Sequence, residues 1–319
     1  MAADSLTSAK ASSGLVTRSG YAIAESDGSP IFYEVIEPGP EHSSDIETVM
    51  LCDGIGCDGY VWKYLRNDLE GRYRIVHSHY RGHGRSPKPR DPARIAVSDL
   101  ADDLVAVLDD IEVAQVTLFG HSMGVQVVLE TYRRHRDRIN AMVLLCGAPE
   151  NPLKTFGGSS TAEAVLPMIR FAVDRAPRLF NALARTLLPT RLSYEIATRI
   201  EINGELMDAA DFMPYLRGLS LVEVHFFLAM LNEAAHHSAV DLLPDVAVPT
   251  LVVVGDQDGF TPPDQGRMIA EEVPNAELLV IEGGSHTAPL ERPDLVGPTI
   301  TEFLERRLGA AHRSTEKQA

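Results

Sequence analysis

Val116-Thr117-Leu118-Phe119-Gly120-His121-Ser122-Met123-Gly124-Val125 is the stretch on which the reading of the chain turns. A short apolar run ends in a Gly-x-Ser-x-Gly turn. Apolar residues at Val125, Val128, Leu129 and Tyr132 follow at helical spacing. A strand, a tight turn through a serine and a helix are therefore expected in that order. Such a serine stands at a helix N-terminus, where unpaired amides and the positive end of the helix dipole face outward.

Outward from this point the same punctuation recurs. Thr48–Cys52 runs into Asp53-Gly54-Ile55-Gly56, and Tyr73–Ser78 leads to Arg81-Gly82-His83-Gly84-Arg85-Ser86. Ala141–Cys146 ends in Gly147-Ala148-Pro149, Thr250–Val254 in Gly255-Asp256-Gln257-Asp258, and Glu277–Ile281 in Glu282-Gly283-Gly284-Ser285-His286. Tyr21–Ala24 and Ile31–Ile36 are two further β-like runs around the turn Ser26–Pro30. Val97, Leu100, Leu104, Val107 and Leu108 mark a helix between strands. Apolar strands alternating with amphipathic helices predict an α/β fold, a doubly wound, mostly parallel eight-stranded sheet covered on both faces. Ligands bind such sheets beyond the carboxyl ends of the strands, where these Gly-rich turns fall.

The alternation stops between about Glu150 and Val240. Helical stripes replace it: Leu179, Phe180, Leu183, Leu187 and Leu188; Leu192, Ile196 and Ile200; Leu221, Val224, Leu228 and Leu231. A helical cap inserted after strand 6 is expected. The chain then divides into a flexible lead (1–18), a core (19–149 and 241–308), the cap (150–240) and a flexible tail (309–319).

Composition bounds the function. The 319 residues are 45% hydrophobic and 23% charged, an ordinary globular balance. With 29 basic and 45 acidic residues the net charge is −16, which argues against a nucleic-acid groove. No window approaches the ~18 apolar residues of a membrane span, and Met1–Val16 holds no apolar core of a secretory signal. Cys52, Cys57 and Cys146 form no CxxC and read as thiols in a reducing compartment, so a cytoplasmic location is expected. Oligomeric state is left open.

A serine hydroxyl is a weak nucleophile and needs a base, which in turn needs orienting. Asp258 and His286 follow Ser122 in chain order, each just past a strand. On these motifs, from about Tyr21 to Leu308, the chain resembles the α/β-hydrolase fold superfamily, and within it the capped serine hydrolases of esterase or lipase type. The resemblance implies Ser122 as nucleophile, His286 as base and then acid, and Asp258 as its orienter. It also implies an oxyanion hole from the backbone amides of Met123 and Ile55, and no metal or organic cofactor. The implied substrate is a carboxylic ester of a small, largely apolar molecule. Related proteins use the same triad for carbon–carbon bond hydrolysis and perhydrolysis; a non-catalytic small-molecule receptor is an alternative of another class. Asp256 and Glu150 compete for the acid role, and the family spacing favours Asp258. His121 is read as a packing residue beside the serine.

Two positions depart from the family pattern. Asp53 stands where His is customary, and His79 where Asp is customary. An Asp53–His79 pair holding the oxyanion loop is expected, because an unpaired carboxylate about 4 Å from the oxyanion at an effective dielectric of ~20 would oppose it by about 4 kcal/mol. His77, His79 and His83 suggest a metal run, but Arg81 and Gly82 occupy the next positions, and no metal is expected. Phe180, Phe212, Met213 and Phe226 are the candidates for an apolar pocket roof in the cap, together with Phe171, Phe227 and Met230.

Overall fold

The computed structural model describes residues 16–38, 46–154, 161–200 and 202–315. Its strands are β1 (Val16–Ile23), β2 (Pro30–Glu37), β3 (Thr48–Cys52), β4 (Arg74–Ser78), β5 (Val116–His121), β6 (Ile139–Leu145), β7 (Thr250–Gly255) and β8 (Glu277–Ile281). They form one eight-stranded sheet in the order β1-β2-β4-β3-β5-β6-β7-β8. β1 and β2 are antiparallel, as are β2 and β4, and every other neighbouring pair is parallel. The chain winds outward from β3 to β4, then restarts at β5 on the other side of β3. The crevice at that reversal, past the ends of β3 and β5, is where this sheet type receives a ligand.

The helices are α1 (Lys63–Leu69), α2 (Val97–Asp110), α3 (Met123–Arg134), α4 (Thr161–Arg175), α5 (Pro177–Leu187), α6 (Arg191–Ile200), α7 (Ala209–Leu221), α8 (Val224–His236), α9 (Pro263–Glu272), α10 (Ala288–Glu291) and α11 (Pro293–Thr315). Period-two alternation along the strands divides the core. Met50, Leu118, Met142 and Val252 pack with Leu100 of α2, Val125 and Leu129 of α3 and Ile269 of α9. Val49, Phe119, Val143 and Val253 pack on the opposite face with Leu65 of α1 and Ile300 and Phe303 of α11. Burial on both faces explains why the central strands read as continuous apolar runs.

Between β6 and β7 the described residues form helices α4–α8 and no α-helix or strand of the core. The apolar stripe Leu221–Leu231 is not one helix. Val222 and Glu223 are extended, and α7 and α8 meet at a bend of 103°. Among the described residues no single helix is long and apolar enough to cross a membrane; α7 and α8 pass by length and composition only as that bent pair.

Both ends differ from the expected lead and tail. β1 begins at Val16, because its backbone pairs with β2 from Val16↔Glu37 to Ile23↔Pro30 whatever its polar side chains prefer. α11 continues to Thr315, since helical hydrogen bonds are local and need no apolar face. The rest of those two segments, residues 1–15 and 316–319, lies outside the described residues.

Candidate active site

Ser122 closes β5 and precedes α3, with φ 57° and ψ −121°. That conformation costs a non-glycine residue about 1–3 kcal/mol and is held only by its surroundings. Two glycines make the turn possible. A Cβ on Gly120 would lie 2.5 Å from the Gly124 carbonyl oxygen, and one on Gly124 2.3 Å from the Cys52 carbonyl oxygen. No larger residue fits at either position without moving backbone.

His286, on the loop after β8, has its Nε2 2.9 Å from Ser122 Oγ and its Nδ1 3.0 Å from Asp258 Oδ2. All three side chains are buried. A carboxylate only accepts, so Nδ1 carries the proton toward Asp258 and Nε2 presents its lone pair to the serine hydroxyl. Asp258 is itself anchored: Oδ1 accepts from the amides of Phe260 and Thr261, both at 2.8 Å, and Oδ2 lies 2.8 Å from Thr261 Oγ1. The structure therefore brings Ser122, Asp258 and His286 together. Asp256 is elsewhere, bracing the β8 turn through Gly283 N at 2.8 Å, and Glu150 faces Lys154 at 3.7 Å.

The loop that carries His286 has a brace that the sequence reading missed. Glu291 is buried and accepts from Ser285 N at 2.7 Å and Thr287 Oγ1 at 2.9 Å, and also from Ser285 Oγ. Asn203 of the cap joins it, donating from its amide to Glu291 Oε1 at 3.0 Å and from Nδ2 to Gly283 O at 2.8 Å. A glutamate between two helices ordinarily reads as surface, and only the fold shows it buried. His121 Nε2 donates to the His286 carbonyl oxygen at 2.9 Å. Burial, helped by the nearby His286, pushes the His121 pKa down to about 4, so it stays neutral.

The loop after β3 carries Ile55. Gly56, at φ 75°, donates its amide to His83 Nε2 at 3.0 Å, while His83 Nδ1 donates to Arg81 O at 3.0 Å. Burial lowers the His83 pKa, which keeps Nε2 an acceptor. Arg81 is held in turn by Asp103, 2.5 Å from Nε and 2.7 Å from the second guanidinium contact. The Arg81–Ser86 turn thus supports the Ile55 loop across the sheet end.

Asp53 pairs with His77, not with His79. Its Oδ2 lies 2.9 Å from His77 Nε2 and its Oδ1 accepts from Trp62 Nε1 at 2.6 Å. Strand register explains the difference: His77 sits opposite Leu51, two residues before Asp53 and on the same face. His79 lies beyond the end of β4. Its Nδ1 accepts from Arg85 N at 2.8 Å and its ring packs on Phe32, 4.9 Å between centroids. Burial alone would raise the Asp53 carboxyl pKa, but the His77 charge and hydrogen bond outweigh it and hold it low. Burial likewise pulls His77 down, and Asp53 with Glu34 overcomes it to leave the His77 pKa raised. His79 is driven to about 4 by burial and the adjacent His77 charge. Behind His77, Glu34 Oε1 lies 3.5 Å from Nδ1 and pairs with Arg66. The carboxylate beside the Ile55 loop is thus paired with a buried imidazole whose protonated form it favours.

Ile55, Ser122, Met123, Gln126, Ala148, Glu150, Leu231 and Ala234 line a cavity over the serine, with Phe260 and Thr261 beside His286. Its volume is about 10 Å³, the room of about one water molecule. None of the four expected roof residues lines it. Phe212 and Met213 join Tyr60, Tyr194 and Tyr215 in a separate cluster. Phe226 packs on Gly82 and His83, and Phe180 on the cluster of Leu166 and Val173. Phe180, Phe212, Met213 and Phe226 instead hold the cap helices to one another and to the core loops. The smaller Leu231 and Ala234 of α8 are left facing the serine.

Residues 47–293 match the sequence pattern of the family described as "alpha/beta hydrolase fold". A proline iminopeptidase of the fungus Pestalotiopsis fici is 27% identical over 285 residues, 88% of this chain and 98% of that protein. The chain is similar in fold to a thermophilic esterase from Thermogutta terrifontis, with a TM-score of 0.69, 24% identity and coverage of 90% and 98%. It is similar also to the enol-lactonase from Burkholderia xenovorans LB400, with a TM-score of 0.69, 22% identity and coverage of 89% and 99%. With the family pattern spanning most of its length on this sheet, the chain belongs to the alpha/beta hydrolase fold family and is a hydrolase.

Proposed function

We propose that the protein is a serine hydrolase of carboxylic esters that works through an acyl-enzyme on Ser122. The observation that carries this reading is the hydrogen-bonded line Ser122 Oγ–His286 Nε2–Asp258 at 2.9 and 3.0 Å, set on a strained turn at the floor of a cavity. His286 takes the serine proton as Ser122 attacks the ester carbonyl, and Asp258 holds the imidazolium that forms. The developing oxyanion is received by the backbone amides of Met123, at the start of α3, and Ile55. His286 then protonates the leaving alcohol. Water, activated by the same imidazole, attacks the acyl-enzyme and frees Ser122.

An esterase, an enol-lactonase and an iminopeptidase, the three similar proteins named above, each break a bond from a carbonyl carbon to oxygen or nitrogen, which supports acyl transfer. The mostly apolar cavity favours a largely apolar ester. The mechanism has no step for a metal or organic cofactor. Labelling with a fluorophosphonate followed by peptide mapping tests the assignment. Modification at Ser122, together with turnover of a short p-nitrophenyl ester that Ser122→Ala abolishes, is the expected result. Modification at another residue, or binding without turnover, refutes it, the latter in favour of a receptor.

A further inference from the structure

Gln126 lies one helical turn along α3 from Ser122 and lines the same cavity. Its side chain is buried, with Nε2 donating to Ala234 O at 2.9 Å and to Glu150 O at 3.3 Å. Both amide hydrogens are therefore taken by backbone carbonyls. This fixes the orientation of the carboxamide, because the flipped form would set Oε1 against two carbonyl oxygens. Oε1 is left buried with no hydrogen-bond partner among the described residues. Folded proteins seldom leave such an acceptor bare, and Gln126 is among the residues that line the cavity over Ser122.

The rest of the lining sharpens what a donor to Oε1 belongs to. Ile55, Met123, Ala148, Leu231, Ala234 and Phe260 are apolar, and the Thr261 hydroxyl is already engaged with Cys146 O and Asp258. Glu150 is half-buried and faces Lys154. We propose that Gln126 is a specificity-determining residue whose Oε1 receives a hydrogen bond from a hydroxyl or N–H group of the substrate. The preferred substrates are hydroxy- or amido-substituted carboxylic esters rather than purely hydrocarbon ones. The proposal rests on the serine-esterase reading and adds to it the substrate class. A substrate hydroxyl loses its water on entry and regains a partner at Oε1. A hydrocarbon analogue leaves Oε1 bare, so a site of this kind discriminates against it.

The test compares kcat/KM for matched esters with and without a donor-bearing group. In an acyl series, p-nitrophenyl 3-hydroxybutyrate is set against the butyrate, and the N-acetylglycinate against the pentanoate. In an alcohol series, 2-hydroxyethyl acetate is set against ethyl acetate. The wild-type protein is expected to favour the donor-bearing member of at least one pair on the order of ten-fold or more. Gln126→Leu, and Gln126→Met as a second variant, bring that ratio close to one. A ratio within one sample is insensitive to the fraction of protein folded, and the wild-type preference needs no variant at all. A wild-type preference for the hydrocarbon member in every pair overturns the proposal, as does a ratio that the variants leave unchanged. If the wild type turns over no ester and Ser122 takes no fluorophosphonate, the esterase reading itself falls and this inference falls with it.

Discussion

Replacing His77 by glutamine keeps a side-chain donor next to Asp53 and removes the charge. With His77 protonated, Asp53 and His77 form a buried pair at 2.9 Å beside the loop that carries Ile55. For a carboxylate about 6 Å from the oxyanion at an effective dielectric of ~20, the opposition by Asp53 is about 3 kcal/mol; a cation on His77 about 3 Å farther away returns about 2 kcal/mol. Losing that return slows acylation by about 30-fold. In His77→Gln, kcat for a short p-nitrophenyl ester, normalised to sites titrated with fluorophosphonate, is therefore expected to fall by about that factor. The double variant Asp53→Asn/His77→Gln, which removes both charges, is expected to recover most of it. The pH dependence has a definite sign. The folded His77 pKa is raised, so the cation is present below that value and lost as pH rises through it, and wild-type kcat gains an alkaline fall that the double variant lacks. The Asp53 pKa is lowered, so its share of the pairing is lost only as pH falls through that lowered value. A folded His77→Gln protein within about three-fold of wild type refutes the reasoning. So does a double variant as slow as the single one.

Other consequences are open to simpler measurements. Asp258→Asn leaves the geometry but not the proton distribution of His286, and kcat is expected to drop on the order of 10⁴-fold with an unchanged circular dichroism spectrum. His83→Leu removes the acceptor of Gly56 N at 3.0 Å; steady-state kinetics are expected to show kcat reduced about ten-fold or more with KM little changed, since the loop it supports meets the oxyanion only in the transition state. Gly124→Ala places a Cβ 2.3 Å from the Cys52 carbonyl oxygen, and the urea midpoint is expected to fall by the equivalent of about 3 kcal/mol or more.

Much of the fold was legible because its signals are short-range. Strands buried on both faces read as apolar runs, and the eight runs fall within a few residues of β1–β8 except at Val16, where backbone pairing extended β1 beyond the apolar pattern. The Ser122 turn was legible because glycine at 120 and 124 answers a local steric demand. The cap was legible as helices but not as a surface. Hydrophobicity marked Phe212 and Phe226 as candidates for a pocket roof without saying which apolar surface each would meet. Glu291 gave no signal, since burial of one carboxylate depends on segments distant in sequence.

Sequence alone determined the alternating strand–helix order, the serine on its strained turn and the order Ser122, Asp258, His286, because periodicity, glycine sterics and motif spacing act over a few residues. Tertiary structure decided which histidine neutralises Asp53, since register across β3 and β4 and the end of β4 bring His77 and not His79 to it. It decided also which residues face the serine, since helix packing within the cap withdrew the large aromatics and left Leu231, Ala234 and Gln126. Those outcomes depend on desolvation and contact between distant segments, which no local pattern encodes.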